Sequence, residues 1–263
     1  MSSINADNGV VSGITGIRTT ADSTGNLALQ SNGVTLLTVN TANTVAVGSG
    51  GITFSDSTTI TSHAAPNVTA YTSGSGTYTV PANAKYLFVQ LVGGGGGGGG
   101  SSANTGATGG NSTFGTSLLT ANGGGGGQSG ASIGGIAGAG GTASGGDVNS
   151  TGSTGSSGAK DTGNPTGGMG GNSVFGGAAT GGLVGSGGTN ASGYGSGGGG
   201  GSGAVGALNS AAGGAAGGYC QKIITSPSAT YSYAVGAGGS GGAAGTYAGG
   251  NGSGGLIIVT AYF

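Results

Sequence analysis

The chain has 263 residues, a formal charge of −1 and charged side chains at only 3% of its positions. A nearly neutral surface has no electrostatic attraction for nucleic acid or anionic lipid, and no window reaches 18 apolar residues, so neither nucleic-acid binding nor membrane insertion is expected. Glycine dominates the composition, with 74 residues, and the length suggests one large or two modest domains.

The amino-terminal part, residues 1–62, is predicted to form a β-rich module. Met1–Asp7 lacks the basic start and apolar core of a signal peptide, so synthesis in a cytosol is expected. Between residues 14 and 60, alternating Leu27 and Leu29 precede Asn32-Gly33, a strong hairpin signal. About 50 residues with few aromatics provide little core for a monomer, so we expect this module to fold within an oligomer. The alternative is a small single sheet that lies on the second domain.

Residues 63–76 are predicted to be a linker, and the second domain is predicted to span residues 77–263. His63, the only histidine, falls in this linker and is interpreted as a solvated side chain. Strands are predicted at about 77–92, 219–235 and 256–263, where the bulky apolar residues of the domain concentrate. We expect these strands to close a small β-sandwich, from which two glycine-rich excursions emerge at 93–218 and 236–255.

Of the 74 glycines, 64 lie between Gly93 and Gly255, beginning with eight in a row at Gly93–Gly100. Each glycine in a regular element costs roughly 0.5–1 kcal/mol more conformational entropy than alanine, so disorder is the ordinary expectation for such a tract. Two features favour order: charge is too scarce to keep the tract solvated, and Gly109–Gly115 recurs almost unchanged as Gly170–Gly176, with a phenylalanine in the same place. The ordered alternative is a packed layer of extended threefold helices of polyglycine II type, in which the lack of Cβ atoms permits close contact.

Five stretches frame this glycine-rich region: Thr77–Pro81, Tyr86–Gly96, Gly217–Lys222, Val235–Gly239 and Gly254–Val259. Their order and spacing resemble the glycine-rich domain of tail fibre and related virion proteins of tailed bacteriophages, over residues 77–263. The resemblance implies a virion component made in the host cytoplasm. In adhesins that cap long tail fibres, packed glycine helices present loops to a bacterial surface receptor, either a glycan or an outer-surface protein.

A shorter stretch of the amino-terminal module resembles another fibre element. Asn26–Gly33 and Leu36–Asn40 are similar to repeats in trimeric phage fibres. This resemblance implies a homotrimer joined through residues 14–60, which would also attach to other virion proteins. The chain differs from the capping adhesins in having such a module of its own.

Catalysis is not expected from this composition. The chain has no glutamate, five scattered aspartates, one histidine and one cysteine, Cys220, which is interpreted as a small apolar strand residue. Acid–base or nucleophilic catalysis needs paired carboxylates or a histidine near a nucleophile, and a zinc site needs several histidine or cysteine ligands. We therefore expect no enzyme activity, cofactor or metal.

Two functions remain open from the sequence: a receptor-binding tail fibre or fibre tip, and a head fibre or capsid decoration protein without a dominant adhesion role. A more distant possibility, an ice-binding or matrix protein, would need threonine arrays or disulfides. Because a glycine layer has few side chains, recognition is expected in its interruptions, 147–165 and 183–194. The candidate receptor contacts are Tyr194, Lys160, Asp161 and Leu183. The alternative is that Tyr194 and Leu183 pack on the sandwich and that Lys160 and Asp161 form a solvated pair.

Overall fold

The computed structural model describes residues 65–102, 104–130, 134–207 and 209–263, together with five short strands nearer the amino terminus. The described chain is all-β, and no helix occurs in it. Its strands, in chain order, are β1 Leu27–Ser31, β2 Val34–Val39, β3 Val45–Val47, β4 Ile52–Thr53, β5 Thr59–Ile60, β6 Asn67–Tyr71, β7 Ser75–Thr79, β8 Tyr86–Val92, β9 Ser112–Phe114, β10 Leu119–Ala121, β11 Ala143–Ser144, β12 Val148–Ser150, β13 Tyr219–Ile224, β14 Thr230–Ala234 and β15 Leu256–Tyr262.

The chain divides into two compact units, Met1–Ala64 and Ala65–Phe263. In the first unit, β1, β2 and β3 form an antiparallel sheet, and β4 pairs with β5. Ser31 lies opposite Val34, which confirms the hairpin predicted at Asn32-Gly33. His63 and Ala64, the first two residues of the predicted linker, lie outside the described residues.

The second unit contains two five-stranded antiparallel sheets. The order β11-β10-β9-β14-β7 defines the β9 sheet, and the order β12-β13-β8-β15-β6 defines the β8 sheet. Their facing side chains form one core, because alternate residues of each strand point inward. The core residues are Tyr78, Leu87, Val89, Leu91, Phe114, Leu119, Ala121, Cys220, Ile257, Val259 and Ala261.

The structure corrects two parts of the predicted organisation. Residues 67–71 were assigned to the linker, but they form β6, an edge strand that pairs with β15. Four short strands that were not predicted, β9 to β12, also lie within the excursion predicted at 93–218. The repeated sequences Gly109–Gly115 and Gly170–Gly176 place their phenylalanines differently. Phe114 lies in the main core, and Phe175 packs on a second cluster formed by Val92, Tyr219 and Leu256.

Where the strands end, the chain continues as glycine-rich segments that hydrogen bond to one another through their backbones. The central segment is Gly93–Ser101, and it follows β8 directly. Its N–H groups donate to the carbonyls of three other segments. Gly93, Gly96 and Gly99 donate to Gly218, Ala215 and Ala212; Gly94, Gly97 and Gly100 donate to Gly110, Ala107 and Asn104. Gly95, Gly98 and Ser101 donate to Ser253, Gly250 and Tyr247. Every third residue of the central segment therefore donates to the same neighbouring segment.

The carbonyl groups of the central segment are satisfied by three further segments. Gly94 and Gly97 accept from Gly124 and Gly127, Gly95 and Gly98 accept from Gly239 and Gly242, and Gly96 and Gly99 accept from Gly198 and Gly201. Six neighbouring segments thus surround the central one: the three that accept its N–H groups run antiparallel to it, and the three that donate run parallel. We call the set of these segments the glycine layer.

Close approach, and not backbone conformation, requires glycine in the central segment. A Cβ atom placed on any residue from Gly93 to Gly100 would lie between 1.9 and 2.4 Å from a neighbouring carbonyl oxygen. None of these eight residues has a positive φ. Stretches 91–101, 195–203 and 210–220 are buried throughout. The glycine layer is therefore a second packed body continuous with the sandwich.

Candidate functional site at the far end of the glycine layer

The direction of the segments decides which loops lie farthest from the sandwich. Each excursion leaves a strand, runs outward, turns and returns, so its turns fall alternately at the far end and at the sheet end. The far loops are the described residues of 101–104, 128–134, 159–165, 183–186, 203–209 and 243–247. These loops carry the side chains that the glycine segments lack.

Hydrogen bonds join the far loops into one surface. The Gly185 N–H donates to the Gly203 carbonyl at 2.8 Å, and the Gly206 N–H donates to the Thr162 carbonyl at 3.0 Å. Both glycines have positive φ, 65° and 80°, a conformation that turns at these positions require and that other residues rarely adopt. Further bonds link Asn209 Nδ2 to Ser102 Oγ at 3.3 Å, Ser102 Oγ to Thr246 Oγ1 at 3.4 Å, and Asn104 Nδ2 to the Ala243 carbonyl at 3.2 Å.

Apolar side chains stand out on this surface. Leu183 is 72% exposed and Val205 is 69% exposed. Tyr247 is half-buried. Its hydroxyl oxygen lies close to Gly185, 3.3 Å from the position that a Cβ atom would take there. Large apolar groups exposed together on a soluble surface commonly mark an interaction site.

The two adjacent charged residues belong to the 159–165 loop of the same surface. Asp161 is exposed, and its Oδ1 accepts a hydrogen bond from the Gly163 N–H at 2.9 Å, which fixes a local turn. Lys160 is half-buried, and its Cγ lies 3.9 Å from the position of a Cβ at Gly134. The loop is anchored by buried Pro165, whose carbonyl accepts from Ser202 Oγ at 2.6 Å.

Tyr194 lies at the opposite end of the glycine layer. It forms a bridge with Phe175, which packs edge-on against Tyr219 of β13 at a ring distance of 5.9 Å. Ser173 Oγ donates to the Tyr194 carbonyl. The structure therefore places Lys160, Asp161 and Leu183 on the far surface and Tyr194, which is 38% exposed, beside the sandwich. Val205 and Tyr247 were missed, although each interrupts a glycine-rich stretch.

The first residues of the interval 147–165 also lie at the sheet end, because 148–150 form β12. The Asp147 carboxylate accepts from the Ile223 N–H at 2.8 Å and from Lys222 Nζ at 3.0 Å. The backbone hydrogen bond from Ile223, followed by the Lys222 ammonium, lowers the pKa of Asp147. This pair closes the edge of the β8 sheet and is not part of the far surface.

Within the described ranges, no group of three or more histidine, cysteine, aspartate or glutamate residues is placed to hold a metal ion. Burial raises the pKa of the Cys220 thiol to about 11, and a bond to the Thr120 carbonyl opposes this effect. A protonated, buried thiol is a poor nucleophile. Of the residues described, none forms a helix long and apolar enough to cross a membrane.

Comparisons with protein-family models, with curated proteins and with solved structures find no match to this chain.

Proposed function

We propose that this protein is a structural component of a bacteriophage virion, a tail fibre or fibre tip whose far surface binds a receptor on the bacterial cell. The proposal rests on the different roles of two parts of the second unit, the glycine layer and the far loops. A backbone-bonded glycine layer holds loops away from the sandwich, and Leu183 and Val205 are exposed there. Because the layer itself has few side chains, recognition depends on those loops.

We further propose that the segments of the glycine layer are polyglycine II helices. Such helices have three residues per turn and no internal hydrogen bonds, so every N–H and C=O must bond to a neighbouring chain. The period of three in the bonds of Gly93–Ser101, their six surrounding segments and the negative φ of the glycines there agree with this geometry. The layer then acts as a rigid spacer built from backbone.

The remaining parts of the proposal concern assembly. We infer a homotrimer joined through residues 14–60, where the described strands are two to six residues long. Strands this short provide little core in one copy, which favours a shared core. The amino-terminal unit would attach to other virion proteins, and the protein would act without catalysis or a cofactor in the virion.

The chemistry of the far surface limits the class of receptor that it can bind. Leu183, Val205 and Tyr247 present apolar area, and the described residues of the far loops include one lysine and one aspartate, Lys160 and Asp161, so their charges balance. A neutral, partly apolar receptor such as a loop of an outer-surface protein fits this surface better than a strongly anionic polysaccharide, which would require basic residues.

An adsorption experiment tests the proposal. Phage particles would carry Leu183→Asp together with Val205→Asp, and we expect the adsorption rate to fall by about tenfold or more, because charge placed in an apolar contact must lose its hydration. The control particles carry Val174→Asp together with Met169→Asp; these residues are 59% and 50% exposed and lie outside the far loops. Normal adsorption by the first particles would refute receptor binding at this surface and favour a head fibre or decoration role.

A further inference from the structure

The β8 sheet has a second apolar face, which is the side turned away from the sandwich core. Its outer face consists of the residues that alternate with the core residues. The large apolar ones are Val68, Tyr86, Phe88, Val148, Ile223, Ile258 and Tyr262, and Gln90, Gln221 and Thr260 lie among them. An antiparallel sheet with one face in water usually alternates apolar with polar residues. On this sheet large apolar side chains dominate the outer face as well, and its two glutamines are bonded to the Tyr219 hydroxyl group: Gln90 Nε2 donates to it and Gln221 Oε1 accepts from it.

The register places these side chains side by side across the strands. Phe88 lies opposite Ile223 on one side and Thr260 on the other, and Thr260 lies opposite Val68. The result is one row that crosses β13, β8, β15 and β6. A second pair, Tyr86 and Tyr262, stacks beside this row with ring centroids 4.6 Å apart.

The outer face is exposed in the second unit. Val68 is 63% exposed, Ile223 51% and Val148 47%. Phe175 covers the end nearest the glycine layer, where it packs against Val92, Tyr219 and Leu256.

The outer face also lacks charge. Asp147 and Lys222 pair with each other at the edge of β12 and β13, and Lys85 precedes Tyr86 just before β8 begins, so none of the three belongs to the alternating set of the outer face. A neutral apolar patch spread across neighbouring strands is typical of a surface that is covered by another protein.

The length of the connection to the amino-terminal unit favours another copy of the chain as the occupant. β6 begins at Asn67, and Asn67 lies opposite Ala261, at the Tyr86 end of the sheet. Only seven residue steps separate Ile60 of β5 from Asn67, a span of at most about 25 Å. Copies that are joined through residues 14–60 therefore keep their second units on short tethers, within reach of one another.

Tethering changes the affinity that such a contact needs. A short linker gives an effective concentration in the millimolar range, so a weak apolar contact between tethered faces forms in most molecules. We propose that the outer face of the β8 sheet packs against the same face of the other copies, so that the sandwiches and the amino-terminal units together form the trimer. This inference rests on the proposed homotrimer.

Cysteine labelling of the full-length protein tests it. Ile223→Cys and Val68→Cys would be compared with Met169→Cys and Ile136→Cys, which are exposed to similar extents, 50% and 59%. The native Cys220 is buried and adds little background. We expect maleimide labelling of the two outer-face cysteines to be about tenfold or more slower than that of their controls, and a bifunctional maleimide to join Val68→Cys copies into covalent trimers.

Sedimentation of the same samples separates this inference from the proposed trimer. A trimer in which the outer-face cysteines label as fast as the controls would overturn the inference and leave the amino-terminal trimer intact. A monomer with fast labelling would overturn both. Slow labelling without any cross-link between copies would also overturn the inference, because the cover would then be the chain's own amino-terminal residues or another virion protein.

Discussion

Ser112 Oγ donates a hydrogen bond to the Val92 carbonyl at 2.8 Å, at the place where β8 passes into the first glycine segment. The same oxygen accepts from the Gly236 N–H at 3.0 Å, where the second excursion begins. Ser112 itself is the first residue of β9 and is fully buried. One hydroxyl group thus joins both sheets to the glycine layer.

Ser112→Ala should therefore destabilise the second unit. The substitution leaves the buried Gly236 N–H without its acceptor, which costs about 1–3 kcal/mol. Chemical denaturation of the full-length protein measures the loss. Ser157→Ala, at an exposed position, is the control and should change the free energy of unfolding by less than about 0.5 kcal/mol. Equal stability of the two variants would mean that the Ser112 bonds contribute nothing.

Gly96→Val should destabilise much more strongly. Its Cβ would lie 2.1 Å from the Gly125 carbonyl oxygen, so the 122–128 segment must move and several buried backbone groups lose their partners, at about 1–3 kcal/mol each. Gly177→Val is the matched control, because a Cβ there meets no atom within 4 Å. The melting temperatures of the two variants are compared.

If Gly96→Val does not fold at all, Gly96→Ala and Gly177→Ala provide the same comparison with a smaller side chain. Equal melting temperatures within either pair would indicate that the central segment is not closely packed in solution.

Stability should also decrease in alkaline solution. The folded protein holds the Cys220 pKa at about 11, above its ordinary value near 9, so the unfolded chain releases this proton first as the pH rises. The contribution of the protonated Cys220 thiol to the free energy of unfolding is therefore complete below about pH 9 and is lost between about pH 9 and 11.

Burial also raises the pKa values of Tyr78 and Tyr71, and these act in the same direction. Melting temperatures recorded from pH 7 to 11 should fall less steeply for Cys220→Ala than for the wild type. Parallel curves would exclude a role for the thiol.

Tyr194→Ala should leave adsorption unchanged within about twofold, since contacts outside a binding surface contribute little to affinity. The reason is positional: Tyr194 lies at the sheet end of the glycine layer, and Leu183 lies at the far end. Adsorption of particles that carry Tyr194→Ala alone or Leu183→Ala alone is measured on the same host. A large loss with Tyr194→Ala alone would move the binding surface to the sheet end.

The sequence predicted the strands rich in bulky apolar residues. The strand region predicted at about 77–92 contains β7 and β8, and β8 ends at Val92. Leu87, Val89 and Leu91 share one face of β8, and the structure shows that this face is the one in the core. β6 was missed because its sequence is mostly small or polar and its stability comes from pairing with β15. β9 to β12 were missed because strands of two or three residues are too short to show alternation.

The candidate site was only partly predictable for a related reason. The sequence shows where glycine segments are interrupted, but not at which end each interruption falls. That depends on how many segments intervene and on their direction, which the antiparallel bonds of Gly93–Ser101 establish only in three dimensions. Tyr194 and Leu183 are close in sequence and yet lie at opposite ends.

The period of three in the glycine layer restricts how such a protein can change in length during evolution. Residues 94 and 97 bond to the same neighbouring segment, whereas residues 94 and 95 bond to different ones. Insertion or deletion of three residues keeps every face of a segment against its existing partner, but a change of one or two residues turns each face toward the wrong partner. Segments therefore lengthen or shorten in units of three, while the far loops, which meet no such lattice, remain free to vary in both length and sequence.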